Sequence, residues 1–215
     1  MSYRDRPITG VIDYTSGNSQ SVVHALNALG VPNRLMTAPH ELDSVDRVVL
    51  PGVGSAGTTM EYLTKAGWPE ALRPRVVDEG MPFLGICVGL QILFESSAEQ
   101  DATCLGWLPG TVRPFDSKRV RVPQIGWNQV RRSSDHPFLA GLPADGEGYF
   151  YFVNSYYAVP EDPSDTGAVT EYGLPFPAAV ARGNIMATQF HCEKSGPLGL
   201  DLLSRFAKLP QEELC

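Results

Sequence analysis

Residues 85–89, Gly-Ile-Cys-Val-Gly, place a potential nucleophile, Cys87, between glycines two positions to either side. An apolar run precedes them, and a helix-favouring stretch, Leu-Gln-Ile-Leu-Phe-Glu, follows. This pattern is typical of a nucleophile elbow, a strand-to-helix turn so tight that larger flanking side chains would collide. Such a turn would aim the Cys87 sulfur into a cleft, and the helix behind it would favour the thiolate. The alternative is a small cysteine buried at a strand end.

A cysteine nucleophile needs a base and a group that orients the base. His191 follows the strand-like segment IMATQF and stands two residues before Glu193. Because side chains at i and i+2 of an extended segment point the same way, Glu193 could accept a hydrogen bond from the imidazole. Cys192, between them, should then point the opposite way. The pattern predicts a catalytic triad of Cys87, His191 and Glu193, although His191 alone could be a satisfied strand-end histidine.

Acyl chemistry at a cysteine also needs donors for the developing oxyanion. The backbone N–H of Val88, at the start of the predicted helix, would be one donor. The stretch PGVGSAG, residues 51–57, follows a strand-like run and carries three glycines, so Val53 or Gly54 could supply a second. This stretch lacks the lysine of a phosphate-binding loop. A plain turn is the alternative.

Short apolar runs alternate with longer helical patterns in the first half of the chain. Strands are predicted at residues 8–14, 33–36, 46–50 and 82–86, and helices at 19–29, 56–65, 70–78 and 88–96. This alternation predicts an α/β fold with three layers, in which a doubly wound, mostly parallel sheet lies between helices. The loops at 15–18, 51–57 and 85–89 should then meet at the carboxyl edge of the sheet, where chemistry gathers.

Short β-like segments separated by Pro, Gly and Asp fill the second half: TVRPF, RVRVP, YFYFV, AAVARG and IMATQF. We predict that they are mixed or antiparallel strands added to the sheet, followed by a closing helix at about 197–208. Neither a repeat nor a linker divides the chain. We therefore expect one domain over residues 1–209 and a short, frayed tail at 210–215, in which Cys215 is incidental.

Composition argues against several classes of function. The formal net charge of −7 disfavours sequence-independent binding to nucleic acid. No apolar stretch approaches the roughly 18 residues of a membrane span, and the N-terminus does not resemble an export signal. We expect a reducing, cytoplasmic location with free thiols at Cys87, Cys104, Cys192 and Cys215. These cysteines form no C-x-x-C pair, so neither a metal site nor a cofactor is predicted.

Several segments, in order from Ile12 to Leu203, together resemble one family: IDYTSGNSQSV, LPGVGSAG, PFLGICVGLQILFE, RVPQIGWNQV, YFYFVNSY and QFHCEKSG. They are similar to the class I (triad) glutamine amidotransferases, and more narrowly to the glutaminase subunits of imidazole glycerol phosphate synthases. The resemblance implies hydrolysis of L-glutamine through a cysteinyl thioester. It also implies delivery of the ammonia to a (β/α)₈ cyclase subunit, which forms imidazole glycerol phosphate and AICAR in histidine biosynthesis.

The same resemblance implies roles for individual residues. Cys87 would attack the glutamine amide, and His191, oriented by Glu193, would move protons to the departing ammonia. Six residues would bind the substrate amino acid: Gly52, Gln91, Glu95, Asn154, Ser155 and Tyr156. Trp127 and Lys194 would lie in the interface with the cyclase, although Trp127 could equally be a core anchor and Lys194 a solvated charge.

The sequence departs from the family pattern at two positions. Phe-His-Cys-Glu, with Cys192, replaces the usual Phe-His-Pro-Glu, and the lost proline would loosen the geometry between His191 and Glu193. Val-Asn-Ser-Tyr, with Asn154, replaces the usual Val-His-Ser-Tyr. A paralogous subunit that supplies ammonia to a different synthase, in sugar or natural-product amination, would keep the same triad and is the alternative function. The intact triad argues against a non-enzymatic interaction module.

Overall fold

The structure, a computed structural model, describes residues 6–14, 18–143 and 148–214. Its strands are β1 (Thr9–Ile12), β2 (Asn33–Met36), β3 (Arg47–Gly52), β4 (Phe83–Cys87), β5 (Ser96–Ser97), β6 (Ala102–Thr103), β7 (Gly110–Pro114), β8 (Gln124–Arg132), β9 (Gly148–Asn154), β10 (Tyr156–Pro160), β11 (Thr166–Glu171), β12 (Pro175–Arg182) and β13 (Ile185–Thr188). Its α-helices are α1 (Ser19–Ala28), α2 (Ala56–Lys65), α3 (Trp68–Arg73), α4 (Val88–Gln91) and α5 (Gly196–Lys208). A π-helical turn, Pro74–Asp78, continues α3.

The main sheet has the strand order β2-β1-β3-β4-β13-β12-β11-β8-β9. Pairings from β2 to β13 are parallel, and those from β13 to β9 are antiparallel. Every residue of β1, β3, β4 and β13 is buried, as expected of parallel strands covered on both faces. The fold class predicted from the sequence is confirmed, with the antiparallel strands forming a larger share of the sheet than expected.

Helices cover both faces of the parallel strands. Helix α1 contacts β1 and β3 and packs beside α5, whereas α2 and α3 contact each other. Right-handed crossovers place helices on opposite faces when the strand order reverses, as it does at β1 and β3. The reversal also opens a crevice at the carboxyl ends of these strands.

A second sheet, with the strand order β10-β7-β5-β6, was not predicted. The predicted helix at 88–96 is wrong in extent, because α4 ends at Gln91 and a turn leads into β5. The turn is tied to β7, since the backbone N–H of Gly110 donates to the Glu95 carboxylate at 3.1 Å. Ile92, Leu93 and Phe94 are all fully buried. A run buried on every side does not distinguish a helix from a turn by its apolar pattern.

The C-terminal tail is packed against the body. Gln211 donates from its side-chain amide to the carbonyl of Gly80 at 3.0 Å, and Leu214 is buried. The prediction of a frayed tail is therefore wrong for residues 210–214, because Leu214 adds an apolar contact. Cys215 and the loop residues 15–17 lie outside the described part of the chain. Within that part, no helix has the length and apolar character needed to cross a membrane.

Candidate active site

Cys87 occupies the corner between β4 and α4. Its backbone angles, φ 57° and ψ −105°, are rare for any residue with a side chain, so the corner is strained. A Cβ on Gly85 would lie 2.4 Å from the carbonyl oxygen of Gly89, and a Cβ on Gly89 would lie 2.1 Å from that of Leu50. Only glycine fits at both flanking positions. The predicted nucleophile elbow is confirmed.

The corner opens into a cleft of about 280 Å³ at the carboxyl edge of the parallel strands. This volume lies at the small end of the range for ligand sites, which restricts the occupant to a small molecule. The lining residues are Val53, Gly54, Cys87, Val88, Gln91, Glu99, Pro123, Val153, Asn154, Ser155, Tyr156, His191 and Lys194.

His191, the expected catalytic base, and Glu193 form a hydrogen-bonded pair in the site. The Nδ1 atom of His191 lies 2.8 Å from Oε1 of Glu193, and both side chains are buried. Burial lowers the pKa of His191, but hydrogen bonds to Cys87 and Glu193, together with their negative charges, raise it to about 9. His191 therefore carries a proton at neutral pH. The three predicted triad residues are brought together by the fold.

The backbone around the triad histidine differs from the extended segment that we predicted. Cys192–Lys194 forms a 3-10 turn, which places Glu193 beside His191 by winding rather than by alternation. The Sγ atom of Cys192 lies 3.3 Å from Oγ1 of Thr188 in the core, and burial raises its pKa to about 12. The prediction that Cys192 faces away from the cleft is confirmed.

Hydrogen bonds to β9 hold this turn at Cys192, the position at which the sequence departs from the expected proline. The backbone N–H of His191 donates to the carbonyl of Tyr151 at 3.0 Å. The Ser195 hydroxyl donates to the carbonyl of His191 at 2.6 Å and accepts from the N–H of Tyr151 at 2.9 Å. These contacts restrain the backbone at Cys192. They therefore oppose the loosening of the geometry between His191 and Glu193 that we predicted from the missing proline.

Asn18 is a triad contact that sequence reasoning missed. Its Nδ2 atom donates to Oε1 of Glu193, the same oxygen that bonds His191. Oε2 of Glu193 is buried and has no hydrogen-bond partner within the described ranges. Asn18 closes the loop predicted at 15–18, so this loop does reach the site through its last residue.

The predicted oxyanion donors line the same cleft as Cys87. Val53, Gly54 and Val88 line the cleft, and Gly54 has a φ of 114° with open space at its Cβ position. Gly52 pairs with Cys87 across β3 and β4 but does not line the cleft. Helix α4 is a single turn, so its contribution is the free N–H groups at its start rather than a long helix dipole.

Gln91, Asn154, Ser155 and Tyr156, predicted to bind substrate, all line the cleft. The Gln91 amide nitrogen donates to the carbonyl of Tyr156 at 3.2 Å and to Oε1 of Gln189 at 3.1 Å. The Asn154 amide nitrogen donates to the same Tyr156 carbonyl at 3.0 Å. The cleft wall is therefore a network of side-chain amides that includes Gln189, which sequence reasoning missed.

The prediction that Glu95 faces the substrate site is wrong. The chain turns away after Gln91, and Glu95 is exposed beside β7 instead. Glu99 lines the cleft in its place, with Oε2 accepting from the backbone N–H of Ala56 at 2.8 Å. Burial raises the pKa of Glu99 despite this bond. No local signal in the sequence marks Glu99, because the helix ends at Gln91, before the Ser-Ser pair at 96–97, and that pair lies in β5.

An apolar surface adjoins the cleft on β8 and β9. We call it the ribbon face; its residues are Ile125, Trp127, Tyr149, Tyr151 and Val153, which are in cross-strand register on one side of the two strands. Ile125 is 64% exposed and Trp127 56% exposed, so Trp127 is not a core anchor. Val153 belongs to both the ribbon face and the cleft, and the predicted interface residue Lys194 is exposed at the cleft rim. Exposed apolar clusters of this kind mark interaction sites.

The sequence and fold match a known family. The profile of the glutamine amidotransferase class-I family matches residues 10–209. The chain belongs to the class-I glutamine amidotransferase family. This amidotransferase is 45% identical over 200 residues to the imidazole glycerol phosphate synthase subunit HisH of Dehalococcoides mccartyi, a match that covers 93% of this chain and 96% of the relative. It is 46% identical over 200 residues to HisH of Herpetosiphon aurantiacus, with 93% of each chain covered.

Solved structures share the architecture of the amidotransferase. PurLQS from Thermotoga maritima superimposes with a TM-score of 0.75 at 19% identity and covers 94% of this chain and 97% of its own. The glutaminase domain of Trypanosoma brucei CTPS with bound acivicin gives 0.58 at 17% identity, with 95% and 96% covered. At these identities the likeness supports the fold and nothing more specific.

Replacing Glu193 by glutamine is expected to lower the pKa of His191 below about 9, because the carboxylate that stabilises the imidazolium is removed. Between neutral pH and pH 9, His191 would then lose a proton that the wild-type chain retains, and glutamine turnover would fall with it. Titration of ¹³C-labelled histidine by NMR measures the shift directly. Asp201→Asn on α5 is the control, and an unchanged His191 titration in Glu193→Gln would contradict the assignment.

Proposed function

We propose that the chain is the glutaminase subunit of an imidazole glycerol phosphate synthase and acts in the cytoplasm. The observation that carries the proposal is the strained elbow at Cys87, which faces the hydrogen-bonded pair of His191 and Glu193 in a cleft of small-molecule size. Relatives named HisH, at 45% and 46% identity over nearly the whole chain, support the choice of synthase.

The first half of the reaction forms a thioester. The Cys87 sulfur bonds to the side-chain amide carbon of L-glutamine, and the carbonyl electron pair moves to oxygen. Backbone N–H groups at Val88 and in the Val53–Gly54 stretch would stabilise that oxyanion. Protonated His191 then gives its proton to the amide nitrogen, the C–N bond breaks, and ammonia leaves a γ-glutamyl thioester behind.

Water resolves the thioester in the second half. Neutral His191 takes a proton from water, and the hydroxide bonds to the acyl carbon. The C–S bond then breaks, the sulfur leaves as thiolate and His191 is again an imidazolium. The product leaves as a γ-carboxylic acid, which gives its proton to solvent and becomes glutamate. Glu193 stabilises the imidazolium charge in both halves, since its Oε1 stays on Nδ1. The atoms balance with glutamine and water alone, so the proposed reaction needs no cofactor.

The cleft offers complementary charge for a free amino acid. Among the described residues that line it, Glu99 is the one carboxylate, and we assign it to the α-ammonium group of glutamine. Gln91 has both amide hydrogens committed to Tyr156 and Gln189, so its carbonyl oxygen is available to accept from the substrate. Gly52 would act by allowing β3 to lie close to the elbow rather than by touching glutamine.

The partner would dock on the ribbon face. Its exposed aromatic residues adjoin the cleft, because Val153 belongs to both. A (β/α)₈ cyclase seated there, with Lys194 at the rim, would cover the cleft mouth and receive ammonia before it reaches solvent. Aromatic clusters of this kind are typical centres of protein interfaces.

Transfer of labelled nitrogen tests the proposed pathway. The chain is mixed with the cyclase subunit of imidazole glycerol phosphate synthase, the cyclase substrate and glutamine labelled with ¹⁵N at the side-chain amide. We expect ¹⁵N in the imidazole product, detected by mass spectrometry. The cyclase supplied with free ammonium serves as the control for an active partner. Unlabelled product, or no product, while the control succeeds would favour the paralogous synthase.

A further inference from the structure

We propose that Gln189 is a positioning residue that holds a hydrogen-bond donor on the Cys87 sulfur. This inference deepens the proposed glutaminase function and rests on Cys87 being its nucleophile. Gln189 follows β13 and is 0% exposed. Its amide nitrogen lies 3.6 Å from Sγ of Cys87, and its amide oxygen lies 3.1 Å from Nε2 of Gln91.

One backbone carbonyl determines which end of each side-chain amide in the network donates and which end accepts. The oxygen of Tyr156 can only accept, and it receives the amide nitrogens of Gln91 at 3.2 Å and Asn154 at 3.0 Å. Since Nε2 of Gln91 is then a donor, the atom of Gln189 that faces it must be the acceptor, Oε1. The remaining end of the Gln189 amide, its nitrogen, is the end that faces Cys87.

The main chain of Gln189 is fixed independently of its side chain. Its backbone N–H donates to the carbonyl of Ala178 at 2.8 Å, which continues the pairing between β13 and β12. The side chain therefore starts from a rigid sheet position and ends in the amide network. A donor held at both ends in this way keeps its direction while the sulfur changes charge.

A donor at this position favours the thiolate over the thiol. Negative sulfur accepts a stronger, charge-assisted hydrogen bond than neutral sulfur does. The carbonyl of Val153, 3.7 Å from the sulfur, acts in the opposite sense, because it accepts from the thiol and repels the thiolate. The amide donor of Gln189 thus opposes the effect of the Val153 carbonyl. It acts in the same direction as the positive charge of His191, which also favours the thiolate.

The titratable groups near Cys87 come from several elements. Among the described residues, His191 and Glu193 follow β13, Glu99 precedes β6, Tyr156 begins β10, and Lys194 stands at the rim. The other neighbours are uncharged: Val53 and Gly54 after β3, and Val153 and Asn154 on β9. A substitution at Gln189 leaves every one of these groups in the chain. A change in the reactivity of Cys87 with pH then reports the loss of the amide donor.

Gln189→Met tests the proposal, because methionine has a similar length and no strong donor. The probe is iodoacetamide on the free chain, with no glutamine or partner, followed by a peptide map of Cys87. We expect the alkylation rate at neutral pH to fall about tenfold to a hundredfold, the scale of one charge-assisted hydrogen bond. The pH midpoint of alkylation should rise by about one unit or more. Because no turnover is measured, the result is independent of the proposed function.

Thr188→Val is the matched control. Thr188 is also fully buried and adjoins Gln189, but its hydroxyl bonds Phe190 and Cys192 rather than Cys87. We expect it to keep the wild-type alkylation midpoint even if stability falls. Gln189→Asn, which withdraws the amide from the sulfur, should shift the midpoint upward and serves as the test if the methionine variant does not fold. A wild-type midpoint in a folded Gln189 variant overturns the proposal.

Discussion

Replacing Cys87 by alanine is expected to abolish glutamine hydrolysis, with a loss on the order of 10⁶-fold, the scale for removing an enzymatic nucleophile. The fold should persist, because alanine and cysteine meet the same strain at a φ of 57° and differ by one sulfur atom. Stability should change by about 1 kcal/mol or less. Glutamate release with saturating partner measures the first effect, and a urea titration measures the second.

Cys192 provides the matched control for this result. It is buried against Thr188 on the far side of the triad turn, so Cys192→Ala should keep most of the hydrolysis. A diazo-ketone analogue of glutamine should label Cys87 in the wild-type chain and spare Cys192. A peptide map with the label on Cys192 would refute the assignment of the nucleophile.

The second large effect concerns the partner: the isolated chain should hydrolyse glutamine slowly and gain two decades or more when the substrate-loaded cyclase binds. Glycines flank Val53, and Gly54 has open space around its Cβ position, so a peptide of this stretch can rotate at low steric cost. One orientation aims an N–H at the oxyanion and the other a carbonyl. A single such donor is worth roughly 10²–10³ in turnover. Steady-state glutaminase rates with and without the loaded cyclase measure the gain.

Trp127→Ala should raise the concentration of cyclase needed for activation by about 30-fold, since central aromatic residues contribute about 2 kcal/mol or more to an interface. Tyr62→Ala, an exposed aromatic residue on α2, is the matched control and should leave activation unchanged. Lys194→Ala should weaken activation while Cys87 is still alkylated normally. Full turnover by the purified chain alone, or normal activation of Trp127→Ala, would contradict the docking model.

Local patterns predicted the parts of this fold that depend on local geometry. Strand β2 and helix α2 have the bounds that the sequence indicated, Asn33–Met36 and Ala56–Lys65. The elbow at Cys87 was predictable because the tight turn leaves no room for a Cβ atom at either flanking glycine, and the whole pattern lies within five residues. The contact between His191 and Glu193 was also correct, although a turn rather than a strand produces it.

Contacts between distant segments were not predictable in the same way. Glu99 reaches the cleft because the chain folds into a second sheet after Gln91, and nothing in the apolar run at 92–94 marks that bend. Gln189 and Asn18 meet the triad through pairings that span 102 and 175 residues. Their roles depend on which strands are neighbours, which a single sequence does not specify.

Strand β9 contributes both to the ribbon face and to the surroundings of the triad. Tyr149, Tyr151 and Val153 point outward along its pleat, while Phe150 and Phe152 point into the core against Phe190. The carbonyl of Val153 lies beside the sulfur, and that of Tyr151 accepts from the backbone of His191. A protein that docks on the outward side chains would therefore contact the same strand whose carbonyls lie next to the nucleophile and to the backbone of its base. Binding at the docking surface and the chemistry of the triad would then share one structural element, so a substitution on the outward side of β9 can affect both.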